Sequence, residues 1–385
     1  MRSPTTPPDR LSIVVAGMVA GQPGHGGASW AVLQYVVGLR QLGHDVTLIE
    51  PVPGTPGRDE TSMAEYFRQV VETFDLQDAA AIIRRGTSDT YGLPFDAIVA
   101  RARRADVLLN ISGMLRESAL VDPIPHRVFL DLDPAFNQMW HAQGIDMGFD
   151  RHTHFATIGW NIGTPSCSVP TCGRTWIATP QPVVLERWPV ADGIVHDGLT
   201  TVANWRSYGS VTHAGVFHGQ KVHAWRELID LPRRTRERCL PALAIHPDEV
   251  VDLMALRDAD WHLVDPAVHC GTPADYQRFV QGSKAELGVA KSGYVLSHCG
   301  WFSDRSVCYL ASGRPVIAHD TGFASRLPTG RGLFAFSTVD DILAAIDAIN
   351  TDYPRARQAA REIAAEHFDS RRVLPTLLEG ILSTG

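Results

Sequence analysis

The chain has 385 residues and a mass of 42.1 kDa, more than one hydrophobic core usually serves, so two domains are expected. Its 44% apolar and 20% charged residues, with a mean hydropathy of -0.06, exclude a disordered chain. With 35 basic against 42 acidic residues, a formal charge of -7 and a pI near 6.1, no net positive field exists to hold a phosphate backbone, and no nucleic-acid partner is expected.

The opening MRSPTTPPDR has no apolar run of signal-peptide length and reads as a short frayed tail. Leu11 to Gly17 (LSIVVAG) is a β-branched run ending in glycine, the pattern of a buried parallel strand. A turn-rich stretch follows. From Ala28 to Leu42 apolar residues recur at helical spacing, and Gly43 is placed to stop the helix. HDVTLIEP is then a second strand. Strand, glycine-rich loop, helix and strand make a βαβ unit with a right-handed crossover.

The alternation continues with a helix over Met63 to Phe74 and strands over Asp106 to Ile111 and Arg127 to Leu132. Between about Asp150 and Trp188 the text turns to Pro, Gly, Ser and Thr, with short strands in HFATIG and TWIATP. The interdomain connection is expected near Gln181 to Gly198. This divides the chain into residues 1–185 and 186–385. A second series then runs through strand Thr200 to Asn204, helix Lys221 to Ile229, strand Ala242 to Ile245, helix Asp248 to Leu256 and strand Trp261 to Val264. It goes on with helix Tyr276 to Leu287, strand Gly293 to Ser297, helix Asp304 to Ala311 and strand Pro315 to Ala318. Asp340 to Leu382 is helical in pattern and is expected to pack back across the cleft.

The expected fold is therefore α/β, with two doubly wound, Rossmann-like domains facing a cleft at the carboxyl ends of their strands. Six sparse cysteines with no CxxC pair suit a reducing cytoplasm, and no apolar run is long enough to span a membrane. Cys167 and Cys172, downstream of His152 and His154, lack the paired spacing of a structural zinc site and read as loop residues.

Chemistry concentrates in residues 297 to 323, SHCGWFSDRSVCYLASGRPVIAHDTGF. The helix here follows a polar turn, so its first N–H groups have no partners of their own and the positive end of its dipole points at whatever lies in front. That is a place for a phosphate. HCGW, a helix and then GRPVIA resemble the donor-binding signature of GT-B fold nucleotide-sugar glycosyltransferases, and ASGRPVIAHDTGF is similar to their ASGxPVIAxDxGG segment. GGASWAVLQYVVGLRQLGHDVTLIE is similar to the GG, helix, GHxVT opening of the same enzymes. Cys308 and Gly300 stand where the retaining branch has two glutamates, and Ser306 where a plant-like inverting branch has one.

The resemblance implies an acceptor on the first domain and a nucleoside-diphosphate sugar on the second, used as co-substrate with no other cofactor and no metal. It puts the donor among Gly26, Gly27, Arg206, Lys221, His298, Gly300, Trp301, Ser303, Asp320, Thr321 and Gly322. Lys221 and Arg206 would neutralise the diphosphate, the alternative being a pair of solvated surface cations. Asp320 would read sugar hydroxyls or simply close a turn. His25 would deprotonate the acceptor hydroxyl, its ring oriented by Asp131 or Asp133, unless it is an exposed loop histidine. Trp140 and Trp160 would wall the acceptor or belong to the core. Asp131 and Asp133 also match an Asp-x-Asp metal clamp, but the two-domain layout speaks against it.

The function expected is transfer of a sugar to a hydroxyl on a small natural product or glycan. Two alternatives are a nucleotide-sugar epimerase on the same scaffold and a catalytically silent nucleotide- or sugar-binding protein.

Overall fold

The computed structural model describes residues 10–54 and 60–383. Residues 1–9 of the amino-terminal tail expected to fray lie outside the described residues. The first half begins with β1 (Ser12–Ala16), α1 (Gly26–Gln41), β2 (Asp45–Val52), α2 (Glu60–Thr73), β3 (Ala80–Arg84), β4 (Thr90–Gly92) and α3 (Phe95–Ala102). It continues with β5 (Val107–Ile111), α4 (Ser118–Val121), β6 (His126–Asp131), α5 (Phe136–Ala142), β7 (His154–Thr157) and β8 (Trp176–Ala178). These strands form one sheet in the order β4-β3-β2-β1-β5-β6-β7-β8, parallel except at the β3–β4 edge.

The second half opens with β9 (His196–Asn204), the hairpin β10 (Val211–His213) and β11 (Val216–His218), α6 (Lys221–Glu227), β12 (Cys239–Ala244), α7 (Val250–Asp258), α8 (Pro266–His269) and α9 (Pro273–Gly282). After these come β13 (Ser283–Gly288), α10 (Ser292–Ser297), α11 (Asp304–Ala311), β14 (Val316–His319) and β15 (Leu333–Phe336). Its sheet is wholly parallel, in the order β12-β9-β13-β14-β15. Three helices close the chain, α12 (Val339–Thr351), α13 (Tyr353–His367) and α14 (Ser370–Leu382).

The first sheet is buried on both faces because β1 alternates between two cores. Ile13 and Val15 join one apolar cluster while Val14 and Ala16 join another. The strand order reverses at β1–β5 in the first sheet and at β9–β13 in the second, and ligands of doubly wound sheets bind at such crevices. α14 returns to pack on α1, where the Cβ of any residue replacing Gly38 would lie 2.7 Å from the Leu374 side chain. Among the described residues no helix is long and apolar enough to cross a membrane.

Three expected elements differ. The helix expected over Tyr276 to Leu287 stops at Gly282, and 283–288 is β13, a central strand. Lys284 pairs with Glu237 and Glu286 with Arg305, so tertiary partners neutralise both charges inside the sheet. The strand expected over Gly293 to Ser297 is the short helix α10, which ends at His298 in the left-handed conformation. Trp261 to Val264 contributes only a bridge from Val264 to Ala242.

The two halves meet over a continuous apolar cluster that includes Trp30, Trp188 and Tyr276. Trp30 Nε1 donates to Pro273 O at 2.8 Å, and the Trp30 and Trp188 rings lie 5.0 Å apart. Gly26 sits at a close approach of the two backbones. Its N–H donates to Cys270 O at 3.1 Å, and a Cβ there would stand 2.1 Å from Thr272 O. Since that neighbour is backbone, it has little room to yield. Gly26→Ala should therefore cost about 2 kcal/mol of stability, as overpacking does elsewhere, read as a lowered thermal midpoint against the parent chain.

Candidate functional site

A cavity of about 420 Å³ opens where the loops after β1, β9 and β12 face the start of α11. Its wall from the first half is the 23–28 segment, including His25, Gly26 and Gly27. From the second half come Val202, Asn204, Lys221, Pro266, Tyr276, Asp304 and Arg305. A second cavity of about 840 Å³ shares His25, Asn204 and Ala244 with the first and is also lined by Arg206, Tyr208 and Glu249. Together they form one cleft.

Positive charge dominates the first cavity. Lys221 is the first residue of α6 and makes no hydrogen bond or ion pair among the described residues. The residue keeps some exposure through the cavity, but burial around its ammonium, followed by the neighbouring Arg305 cation, pushes its pKa down to about 7. Arg305 stands in the first turn of α11, an unfavourable end of a helix for a cation. It is held there by buried Glu286, which accepts its Nε, and by Val202 O, which accepts Nη1 at 3.0 Å. Nη2 makes no hydrogen bond among the described residues. Two cations with unused donors thus face one cavity large enough for a small ligand. Arg305 was not among the residues singled out from sequence. Its signal was a cation in the first turn of a predicted helix, against the dipole.

His25 caps α1 through its carbonyl, which accepts from Ala28 and Ser29 N–H, and its ring is exposed to both cavities. Among the described residues no carboxylate orients it. Asp131 instead accepts from the side chains of Asn137 at 2.6 Å, Gln138 at 2.6 Å and Thr157 at 2.8 Å. Asp133 receives Lys291 Nζ at 2.9 Å and the Tyr294 hydroxyl, a contact that crosses from the first half to the second. The Asp-x-Asp pair is thereby engaged by protein donors. Among the described residues no group of three or more His, Cys, Asp or Glu side chains is arranged around a metal position.

Three amides of the loop after β1 are taken by protein acceptors. Ala20 and Gly21 N–H donate to buried Glu50 at 2.7 and 2.6 Å, and the Gly26 N–H is taken by Cys270 O. Arg206 lines the outer cavity, half exposed and paired with Glu249.

His298, Gly300, Trp301, Ser303, Asp320, Thr321 and Gly322 line neither cavity. They build the seam between the halves. Asn161 Nδ2 donates to His298 O at 3.1 Å and to Gly322 O at 3.3 Å, and Gly300 N–H donates to Thr321 O at 2.8 Å. The Trp301 ring lies tilted against that of Tyr294, with centroids 4.7 Å apart. Ser303 caps α11, accepting from Arg305 N–H at 3.3 Å. Asp320 closes a turn, accepting from Gly322 N–H at 2.8 Å. Trp160 is core, its Nε1 donating to Thr179 O at 3.0 Å and its ring stacked on Phe368, so no acceptor reaches it. Trp140 is half-buried against Phe136 and Tyr208.

No family model and no curated protein sequence matches the chain. Solved structures do. An alpha-glucosyltransferase in complex with UDP-glucose and DNA containing an abasic site superimposes with a TM-score of 0.62 at 13% identity, over 97% of this chain and 99% of that one. The alpha-glucosyltransferase with UDP and a 13-mer DNA containing an HMU base gives 0.62 at 12% identity, over 96% and 99%. Anabaena HepE in complex with UDP and glucose gives 0.59 at 10% identity, over 97% and 100%. The chain shares the GT-B fold of these enzymes from end to end. The expectation that acidic net charge excludes nucleic acid is overturned by the same finding, because chains of this fold were solved with DNA bound. Net charge sums the whole surface, whereas recognition depends on the local field of a cleft.

Proposed function

We propose that this GT-B-fold chain is a metal-independent hexosyltransferase that moves a sugar from a nucleoside-diphosphate donor to a hydroxyl acceptor. The observation that carries the proposal is the pair of cations, Lys221 and Arg305, turning unused donors into one interdomain cavity. The diphosphate lies on them. As the bond from the sugar to the diphosphate breaks, negative charge builds on the leaving nucleotide, and two preorganised cations in a partly dry site stabilise it without a metal ion. The fold supports this placement, as does UDP-glucose in one neighbour and UDP with glucose in another. Residues 186–385 hold the donor and residues 1–185 the acceptor, with Arg206 guarding the outer cavity. His25, the imidazole facing both cavities, takes the proton of the attacking hydroxyl.

Thermal unfolding with UDP, GDP, TDP and ADP, followed by release of free nucleotide from the matching nucleotide sugar, tests the proposal. A ligand at ~100 times its dissociation constant adds about 2.7 kcal/mol to the folded state, so one nucleotide is expected to raise the midpoint clearly. Nucleotide release that needs His25, measured with His25→Ala, is the second expected result. Binding without turnover would make the chain a silent binder, and interconversion of the donor sugar without nucleotide release would make it an epimerase. No shift with any nucleotide would sink the proposal.

A further inference from the structure

Glu50 stands in β2 with 1% of its surface exposed, and it pairs with no cation among the described residues. Burial pushes its pKa up, because a charged carboxylate loses its water there. An acid in that position is costly unless hydrogen-bond donors take up its oxygens. One turn of the loop after β1 takes up both. Oε2 accepts from Ala20 N–H at 2.7 Å and Oε1 from Gly21 N–H at 2.6 Å. The same turn is tied to α1 by Ser29, whose hydroxyl donates to Val19 O at 2.6 Å. Residues 19–21 are thus fastened both to β2 and to α1.

Four residues, 22 to 25, lead from that turn to the start of α1. Gln22, Gly24 and His25 are exposed, and all four line one or both of the cavities. So short a bridge, with one end on a helix and the other on a buried acid, places its side chains by where those two ends are held. We propose that Glu50 is a positioning residue, its buried carboxylate fixing the loop after β1 so that the His25 ring stays against the hydroxyl it deprotonates. The inference rests on the donor and base reading given under Proposed function. Glu50 lines neither cavity and acts only through the loop. A displacement of about 1 Å in a reacting group can cost on the order of 100-fold in rate, so a small shift of the turn is enough to matter. Glu50→Gln keeps the shape of the side chain but turns one acceptor oxygen into an amide nitrogen that cannot accept, leaving one loop N–H facing a donor.

Release of free nucleotide from UDP-, GDP-, TDP- and ADP-glucose by the full chain, with water as acceptor, and calorimetric titration with the four nucleoside diphosphates test this. Glu50→Gln should lower kcat for release at least about tenfold while the dissociation constant of the nucleoside diphosphate stays within about threefold of the parent value. In a His25→Ala background the same replacement should change kcat by less than about twofold, since no ring is left to misplace. A merely structural role would slow both backgrounds alike or weaken nucleotide binding in step, and either result overturns the inference. So does a Glu50→Gln chain as active as its parent. Gly21→Ala, whose Cβ would stand 2.7 Å from Glu50 Oε1, disturbs the same contact from the loop side and repeats the measurement if the glutamine variant folds poorly. If no nucleotide is bound or released, the donor reading fails and this inference with it. If release proceeds without His25, the base assignment fails and takes this inference along; if release needs His25 but ignores Glu50, this inference alone fails.

Discussion

Lys221→Met should lower the affinity for the bound nucleoside diphosphate by about 100-fold or more while leaving the chain as stable as its parent or slightly more stable. The ammonium is a site charge with no protein partner among the described residues, so removing it unpairs nothing in the free fold. Titration calorimetry gives the affinity and thermal unfolding the stability. Loss of both together would mean that Lys221 is structural.

The same group predicts a pH profile. With its pKa near 7 in the free chain, Lys221 is charged below that value and neutral above it. A diphosphate binds the charged form, so affinity should fall up to about tenfold for each pH unit above 7. Below about 6 the terminal phosphate gains a proton and the affinity falls again from the ligand side. Stability runs the other way. The unfolded lysine keeps its usual pKa of 10.5, so its charged form is disfavoured in the fold and the cost is present below pH 7. That cost is relieved as pH rises from 7 toward 10.5. As far as this residue governs it, loss of binding at pH 8 to 9 is therefore not unfolding. A flat profile, or one unchanged in Lys221→Met, would refute the assignment.

Glu286→Gln should cost about 3–5 kcal/mol of stability, the usual result of stripping a buried cation of its counter-charge. Glu286 is fully buried in β13 and Arg305 nearly so, and the carboxylate holds the guanidinium at the start of α11. Denaturant unfolding measures the loss. The double replacement Glu286→Leu with Arg305→Met removes both charges and should restore most of the stability. It should not restore nucleotide binding, because the second cavity cation is gone. Recovery of both would show that Arg305 serves the fold alone.

Much of the frame was legible in the residues. β1, α1, β2, β5, β6, α11 and β14 lie within a few residues of where the text places them. Parallel strands buried on both faces are short continuous apolar runs, and a helix between them keeps its 3.6-residue period, so both signals are local. The glycine pair 26–27 was also visible, but its reason was not. Gly26 is small because the backbone at Thr272, nearly 250 residues away, leaves no room for a Cβ.

Local sequence thus determined the alternation of strands and helices, the two sheets and the cleft between their carboxyl ends. Tertiary structure alone decided that the charged segment 283–288 is a central strand and that 293–297 belongs to a helix. It also sent the 298–303 and 320–322 segments to the seam while bringing Lys221, Asp304 and Arg305 to one cavity. The physical reason is one of range. Propensity and periodicity act over a few residues, whereas a buried charge is tolerated, or a polar turn covered, only through partners that the fold brings from elsewhere in the chain.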